Sequence, residues 1–336
     1  MRPLFALLLL ALPGVAAVTG TLVNRTTGQP LAGATVELDR LSENGVEPIG
    51  EAQTGAQGRF SIAGDAQGAQ LLRVTFDGVT YFRTLEPGAP AADIALDVYA
   101  SSKQPGAAKV SKHMLFFEPS ASGRMAIQET FIYANPGKTA WHDPGKGELR
   151  FYLPASSGGN AQVTATAPDG MPIPAALVAT SSADVMAVDF AIKPGETRFD
   201  VTYSVAYTPG QPYEGKVVTR DENTYLVVPP GVTLAGDGLS DLGTEPRTQA
   251  HVFGLPGTTY KIALTGTAPA PEPGSPAAEE PDNGPVPEAV PPRIYGNAVP
   301  ILGLALAILA VGFALLYRRS PAVPTPAKEA HERGRR

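Results

Sequence analysis

Cysteine is absent from this chain of 336 residues. The absence excludes disulfides, thiol catalysis, lipid attachment to an N-terminal cysteine and metal sites built from thiolates. Because secreted eukaryotic proteins of this size usually carry disulfides, it also favours a bacterial source. Glycine and proline are instead abundant, with 36 and 34 residues, which indicates many turns and a linker.

A large excess of one charge sign is also absent, since 26 basic residues face 32 acidic ones and the formal net charge is only −6. This excludes the strongly basic surface that nucleic acids require, and we predict no nucleic-acid partner.

The sequence offers no complete catalytic or calcium-binding motif. Ser240 in GDGLSDLG fails the G-x-S-x-G pattern of serine hydrolases, because Leu242 replaces the second glycine. A calcium loop at Asp237, Asp241 and Glu245 lacks regular Asp-x-Asp spacing. We therefore predict that the chain is not an enzyme and has no catalytic residue, cofactor or metal site.

An apolar run at the N-terminus has the features of a secretory signal peptide. Arg2 is followed by nine apolar residues, Leu4 to Leu12, and then by small residues up to Ala17. Such a run is too short to cross a bilayer. We predict a signal peptide at 1–17, with a retained N-terminal anchor as the alternative.

A second apolar run predicts a single transmembrane helix at 298–317. No charged residue interrupts it, and about 20 residues of helix cover the hydrocarbon core. The pair Arg318–Arg319 follows directly, which places the basic tail 318–336 in the cytoplasm and the preceding modules outside. The alternative is a buried core helix.

Residues 266–293 are rich in proline and acidic residues, and they predict a disordered stalk.

Residues 18–98 alternate between short extended segments and turns. In one segment Ala34, Val36 and Leu38 fall on one side of the strand, with Asp39 on the other. Asp77–Gly78 separates two apolar runs and predicts a tight hairpin, because glycine readily adopts positive φ. These features predict a small antiparallel sandwich. Its expected strands are 18–24, 32–40, 47–53, 58–63, 70–76, 79–85 and 92–98.

Three phrases in this region carry a family pattern: VTGTLVNRTTGQPLAGATVEL, TGAQGRFSI and LLRVTFDGVTYF. They resemble the carboxypeptidase regulatory-like family of prealbumin-like sandwiches, some of which are grouped with carbohydrate-binding-like folds. The resemblance implies a non-catalytic structural or recognition module. The catalytic part of metallocarboxypeptidases is missing, since none of the four histidines has a glutamate three residues later. The matching positions are Gly20, Gly28, Pro30, Leu31, Gly33, Ala34, Val36, Leu38, Gly58 and Phe60.

Residues 109–265 again read as strands between turns, after a predicted joint at 99–108. In 196–207 apolar residues alternate with polar ones, which is typical of a strand with one buried face. We predict a second sandwich of immunoglobulin or fibronectin type, with two smaller modules as the alternative. Its other expected strands are 109–117, 124–134, 148–153, 161–166, 184–192, 215–220, 223–228, 248–254 and 258–264.

The only tryptophan lies in the polar segment TAWHDPGKGE. An exposed Trp141 flanked by His142 and Asp143 would suit stacking on a sugar ring or a peptide. These three residues are therefore candidate ligand-binding residues. The alternative is that Trp141 covers the edge of the sandwich.

Glu129 stands on an apolar strand face, where a carboxylate is unfavourable without a partner. One interpretation is an isopeptide bond between Lys112, or Lys109, and an asparagine such as Asn223, with Glu129 as the buried acid. The first module has no lysine before Lys103 and cannot form such a bond. The alternatives are a bulge and a salt bridge near the sheet edge.

Together these features predict a single-pass type I protein of the bacterial cytoplasmic membrane, with two β-sandwich modules in the periplasm or outside the cell. We predict binding or scaffolding of an envelope assembly, with an envelope protein or a glycan as the partner. The alternatives are a carbohydrate- or peptidoglycan-binding module and an accessory subunit of a membrane enzyme or biogenesis complex. Loops and sheet edges would carry recognition, because rigid sandwiches present function there.

Overall fold

A computed structural model describes residues 17–42, 45–64, 68–88, 90–168, 170–220 and 224–267. Within these ranges every regular element is a β-strand, apart from one 3-10 turn at Ala155–Ser157, so the all-β prediction is confirmed there. None of these residues belongs to a helix with the length and apolarity needed to cross a bilayer. The predicted signal peptide up to residue 16, the stalk beyond residue 267, the membrane helix and the tail lie outside the described residues.

The first module consists of two four-stranded sheets that enclose one core. One sheet has the order β2-β1-β5 with β8 parallel to β1, and the other has the antiparallel order β4-β3-β6-β7. Both sheets contribute buried side chains to the core, from Val18 on the first strand to Val98 on the last. All seven predicted strands are present. The bounds are β1 Ala17–Asn24, β2 Gln29–Pro30, β3 Thr35–Ser42, β4 Gly45–Gln53, β5 Arg59–Ala63, β6 Gln70–Phe76, β7 Val79–Leu85 and β8 Ile94–Val98.

The predicted hairpin at Asp77–Gly78 is confirmed. Both residues have positive φ, 50° and 78°, as a primed two-residue turn requires, and β6 and β7 pair on either side of them. The turn also holds the segment that leaves the module, because Ser101 donates its backbone N–H to the Asp77 carboxylate at 2.6 Å.

Gly20 has a packing reason for being glycine. It lies opposite Phe60 in the β1–β5 pair. A Cβ at this position would come within 2.5 Å of the Phe60 ring and would collide with the Ile94 carbonyl oxygen of β8. The aromatic ring thus occupies the space that the missing side chain leaves, and this explains one position of the family pattern.

Asp39 departs from the simple alternation of β3. The register of β3 against β4 shifts between Leu38 and Asp39, and the Asp39 side chain is buried. Its Oδ2 accepts a hydrogen bond from Arg73 Nε at 3.0 Å, whereas Oδ1 has no hydrogen-bond partner in the described part of the chain. A β-bulge turns side chains away from strict alternation, which explains the buried carboxylate.

The second module is built on one sheet of eight strands, in the order β15-β14-β18-β11-β10-β20-β23-β22. Two three-stranded sheets, β13-β17-β16 and β19-β24-β21, complete it, and one continuous core runs from Val110 to Leu264. The buried residues of these three sheets thus belong to one core cluster. The bounds are β9 Ser101–Ser102, β10 Lys109–Pro119, β11 Arg124–Asn135, β12 Ala140–Trp141, β13 Leu149–Tyr152, β14 Ala161–Thr166, β15 Ile173–Pro174, β16 Ala176–Ala179, β17 Val185–Asp189, β18 Gly195–Ala206, β19 Pro212–Lys216, β20 Thr224–Val228, β21 Val232–Gly236, β22 Ser240–Thr244, β23 His251–Leu255 and β24 Thr259–Gly266.

This arrangement differs from the expected immunoglobulin or fibronectin pattern. That pattern has seven to nine strands divided between two antiparallel sheets. Here eight strands form a single sheet, and β10 pairs with β20 in parallel. Six further strands occur where the sequence indicated turns, loops or the joint: β9, β12, β15, β16, β21 and β22.

The predicted joint between the modules is a short strand ladder. β9 lies within it and pairs in parallel with β12 of the second module. Ala140 of β12 packs into the core of the first module, while the next residue, Trp141, packs against the core of the second. Across the junction Thr26 donates its hydroxyl to the Lys138 carbonyl at 2.5 Å. The two modules are therefore packed against each other through β12 and belong to one compact unit.

Candidate functional site

A cleft of about 750 Å³ opens between the two modules. One wall is the face of the β4-β3-β6-β7 sheet that points away from the first core. The other wall belongs to the second module and consists of Ala167, Gly170, Met171, Ile173, Asp189, Phe190, Ala191 and Lys193, together with His142. The volume lies in the range of sites that hold small molecules or cofactors.

Exposed apolar side chains concentrate at this cleft. In the described part of the chain six large apolar side chains are exposed, and four of them line it: Val46, Phe82, Met171 and Ile173. Phe82 and Met171 are 42% and 52% exposed, respectively. Grouped apolar side chains at a concave surface mark an interaction site, whereas single exposed ones need no explanation.

Lys193 supplies a positive charge at the wall of the cleft. Its Nζ donates to the Thr80 carbonyl at 2.6 Å and lies 4.7 Å from the centre of the Tyr81 ring. Burial lowers the pKa of Lys193 from its ordinary 10.5 to about 8. No carboxylate among the described residues forms an ion pair with it, so this ammonium is desolvated without a compensating negative charge.

A second polar group at the cleft is assembled by strand pairing. Leu149 pairs with Val188 in the β13–β17 ladder, which brings the preceding residue Glu148 next to Asp189. The Glu148 side chain is fully buried, and its Oε1 lies 3.1 Å from Nδ1 of His142. The Asp189 Oδ1 lies 3.8 Å from the same nitrogen. These three side chains bring an imidazole and two carboxylates together.

Backbone N–H groups hold both carboxylates of this group. Oε1 of Glu148 accepts from the Asp143 N–H at 2.6 Å, and Oε2 accepts from the Phe190 N–H at 2.9 Å. Oδ2 of Asp189 accepts from the Gly145 N–H at 3.1 Å. The positions of both carboxylates are thus fixed by the main chain.

The side chains of the three candidate ligand-binding residues of the tryptophan segment have different surroundings. Trp141 is half-buried, and its ring lies 6.2 Å from the ring of the buried Tyr133. Asp143 pairs with Lys146 at 3.2 Å. Of the three, only His142 lines the cleft.

Glu129 lies on β11, an interior strand of the large sheet. It pairs with Leu115 and Val201 on the neighbouring strands, with no bulge at its own position. Its carboxylate lies 3.2 Å from His113 Nε2 and accepts the Tyr203 hydroxyl at 2.7 Å, and all three side chains are buried. Burial, followed by the Glu129 charge, raises the pKa of Tyr203 well above its usual value.

The isopeptide bond stays a prediction. Lys112 is exposed, whereas the next residue, His113, points inward to Glu129. Because neighbouring residues of a strand face opposite sides, the structure does not bring Lys112 to this carboxylate. Asn223 lies outside the described residues.

Sequence reasoning missed Glu148, Asp189 and Lys193 as site residues. Glu148 and Asp189 are distant in the chain and become neighbours only through the β13–β17 pairing. A signal that could have found Glu148 is its position beside His142 in the same turn-rich segment. Lys193 carries no local motif, so only the packing of the modules reveals it.

Residues 17–97 match the family model of the carboxypeptidase regulatory-like domain. The match confirms the resemblance found in the sequence, and it covers the module that supplies one wall of the cleft. No curated protein matches the chain.

Solved structures give weak similarities only. A variant of a two-domain M1 zinc metallopeptidase bound to L-tryptophan is 14% identical over 59% of this chain and 54% of its own, with a TM-score of 0.27. An M1 zinc metallopeptidase from Deinococcus radiodurans is 14% identical over 55% of this chain and 50% of its own, with a TM-score of 0.26. This chain thus covers about half the length of those peptidases, and scores this low say nothing about its activity.

Proposed function

We propose that this chain is a membrane-anchored binding protein of a bacterial envelope. In this proposal its two non-catalytic β-sandwich modules hold an extended apolar segment of a partner protein in the cleft between them. The observation that carries the proposal is the concentration of exposed apolar side chains around one opening, with Phe82 on one wall and Met171 on the other. The family match supports a recognition module, because the regulatory-like domain is a non-catalytic sandwich.

The edge of the first module favours a polypeptide over a compact ligand. β7 is the outermost strand of the β4-β3-β6-β7 sheet, and Phe82 lies on it. An extended segment can add to an exposed sheet edge through main-chain hydrogen bonds while its side chains enter neighbouring pockets. Phe82 and Met171 would then contact alternate side chains of the partner.

Lys193 adds a chemical preference for the partner. Its ammonium lies at the wall of the cleft and has the Thr80 carbonyl as its hydrogen-bond acceptor. A carboxylate on the bound segment would give this desolvated charge a counter-ion. We therefore propose that the partner segment carries an acidic residue next to its apolar side chains.

The carbohydrate alternative has less support. Trp141 packs beside Tyr133 and does not line the cleft, so it does not form an open stacking platform there. A glycan remains an outcome that the following experiment would reveal.

Site-specific photo-crosslinking in the native cell tests the partner. Phe82 and Met171 are replaced one at a time by p-benzoylphenylalanine in the full-length chain. We expect one adduct of defined mass from both positions, sensitive to protease, because both side chains line the same cleft. Leu242 is the matched control, since it is exposed and apolar but lies outside the cleft.

Three results would contradict the partner proposal. The first is the same adduct from Leu242, and the second is no adduct from either cleft position. The third is an adduct that glycosidases degrade and proteases do not, which would favour the glycan.

A reporter fusion tests the membrane part of the proposal. With a single helix at 298–317, a C-terminal fluorescent reporter is expected to be active in the cytoplasm, since the Arg-rich flank stays inside. Protease added to spheroplasts should remove the modules and leave the reporter intact. A reporter that external protease degrades would contradict the proposed topology.

A further inference from the structure

We propose that His142, Glu148 and Asp189 form a binding site for a divalent transition-metal ion, best suited to Zn²⁺. One ligand atom from each residue lies within 4.8 Å of the others. The Nδ1 atom of His142 is 3.1 Å from Glu148 Oε1 and 3.8 Å from Asp189 Oδ1. Donor atoms of a tetrahedral site with bonds of about 2.0–2.1 Å lie roughly 3.3 Å apart, so small side-chain movements close this arrangement around an ion.

The charges of the group favour a cation. Two carboxylates face one imidazole, and the Glu148 side chain is 0% exposed. Its other contacts are neutral backbone N–H groups, and the nearby Lys146 pairs with Asp143 instead. A buried carboxylate is stable only with paired charge or good hydrogen bonds, and a doubly charged ion would balance both acids.

The ligands are held in place by a second layer of contacts. Glu148 is fixed by the backbone of Asp143 and Phe190, and Asp189 by the backbone of Gly145. The backbone N–H of His142 donates to the Ser102 carbonyl at 2.8 Å. Outer contacts of this kind orient metal ligands and raise the affinity of a site.

The donor set and the exposure indicate which ion fits. One nitrogen and two carboxylate oxygens suit Zn²⁺, whereas Ca²⁺ takes six to eight oxygens. His142 and Asp189 line the cleft, with side chains 14% and 27% exposed, while Glu148 forms the base. The ion would therefore have open coordination positions toward the cleft. This site does not depend on the proposed partner protein.

Zinc titration of the full-length protein tests the site. The purified chain is freed of metal with a chelator and titrated with Zn²⁺ in a calorimeter. We expect one ion per chain, and at least tenfold weaker binding for His142→Gln and for Asp189→Asn. Asp189→Asn retains an oxygen that can accept the Gly145 N–H, so we expect this variant to fold. Circular dichroism of each variant checks that the sheets remain.

His251→Gln is the matched control. His251 forms an exposed pair with Asp241 at 2.7 Å, and no third ligand joins them in the described part of the chain. Zinc affinity is expected to be unchanged in this variant. The proposal is wrong if Zn²⁺ shows no saturable binding, if His251→Gln weakens it as much as His142→Gln does, or if Ca²⁺ binds as tightly as Zn²⁺.

Discussion

Replacing Glu129 with alanine is expected to lower the free energy of unfolding by about 3–5 kcal/mol, because it breaks a buried charged network. The carboxylate accepts the Tyr203 hydroxyl and contacts His113 Nε2 in the middle of the eight-stranded sheet. Without it both groups are buried with no acceptor, and each such group costs about 1–3 kcal/mol. Urea denaturation followed by circular dichroism measures the change.

Two further variants distinguish the effect of the lost hydrogen bonds on stability from the effect of the lost side-chain volume. Glu129→Gln retains an oxygen for Tyr203 and should lose less stability than Glu129→Ala. Glu214→Ala is the matched control, since Glu214 pairs with Lys261 at the surface with a side chain 69% exposed. We expect no measurable change there. Equal losses for Glu129→Ala and Glu214→Ala would show that the buried network contributes nothing.

Replacing Lys193 with methionine is expected to raise the free energy of unfolding at pH 7 by about 2 kcal/mol. The fall of its pKa from 10.5 to about 8 means that folding disfavours the charged form. A fall of this size corresponds to about 3 kcal/mol, and the lost hydrogen bond to Thr80 offsets about 1 kcal/mol of the gain. Methionine keeps the length and apolar contacts of the side chain without the charge.

The pH dependence distinguishes this effect from simple packing. Below about pH 8 Lys193 is protonated in both states, so the whole penalty is present. Between about pH 8 and 10.5 the folded protein has released a proton that the unfolded chain still holds, so the wild type gains stability as the pH rises. The advantage of the methionine variant should shrink over that interval. Urea midpoints at several pH values measure it.

An exposed lysine provides the control for this prediction. Lys146 pairs with Asp143, and its side chain is 71% exposed. Lys146→Met should leave the unfolding free energy unchanged at every pH. If Lys193→Met destabilises the protein, or if its advantage is independent of pH, the charge of Lys193 is not the cause.

Most strands could be predicted from the sequence because their signals are local. Alternating apolar residues and glycine turns define β6 and β7 around Asp77–Gly78, where both turn residues adopt the expected positive φ. The signal fails for β21 and β22, because VTLAGDGLSDLGT is rich in glycine and aspartate and reads as turns. Both strands form because they pair with neighbouring strands, β24 and β23 respectively.

The cleft could not be predicted in the same way. Met171 and Ile173 lie in the segment APDGMPIPAA, whose prolines and glycine indicate a loop, and nothing in it points to Phe82 on the other module. His142 is a candidate because it neighbours the single tryptophan, and Glu148 follows in the same segment, but Asp189 joins them only through the β13–β17 register. Periodicity identifies which face of a strand is buried, whereas it does not reveal which distant segments meet.

The alternation of residues in β12 has a consequence for the family domain itself. Ala140 completes the packing of the regulatory-like domain, although it lies more than 40 residues beyond the end of the family match at residue 97. Ile192 lies in the core of the second module, and Trp141, which forms a β-bridge with it, packs against that core. The packed module therefore includes a residue that lies outside the family match. Because neighbouring residues of β12 pack against two different cores, we expect the β9–β12 ladder to restrict movement of one wall of the opening relative to the other.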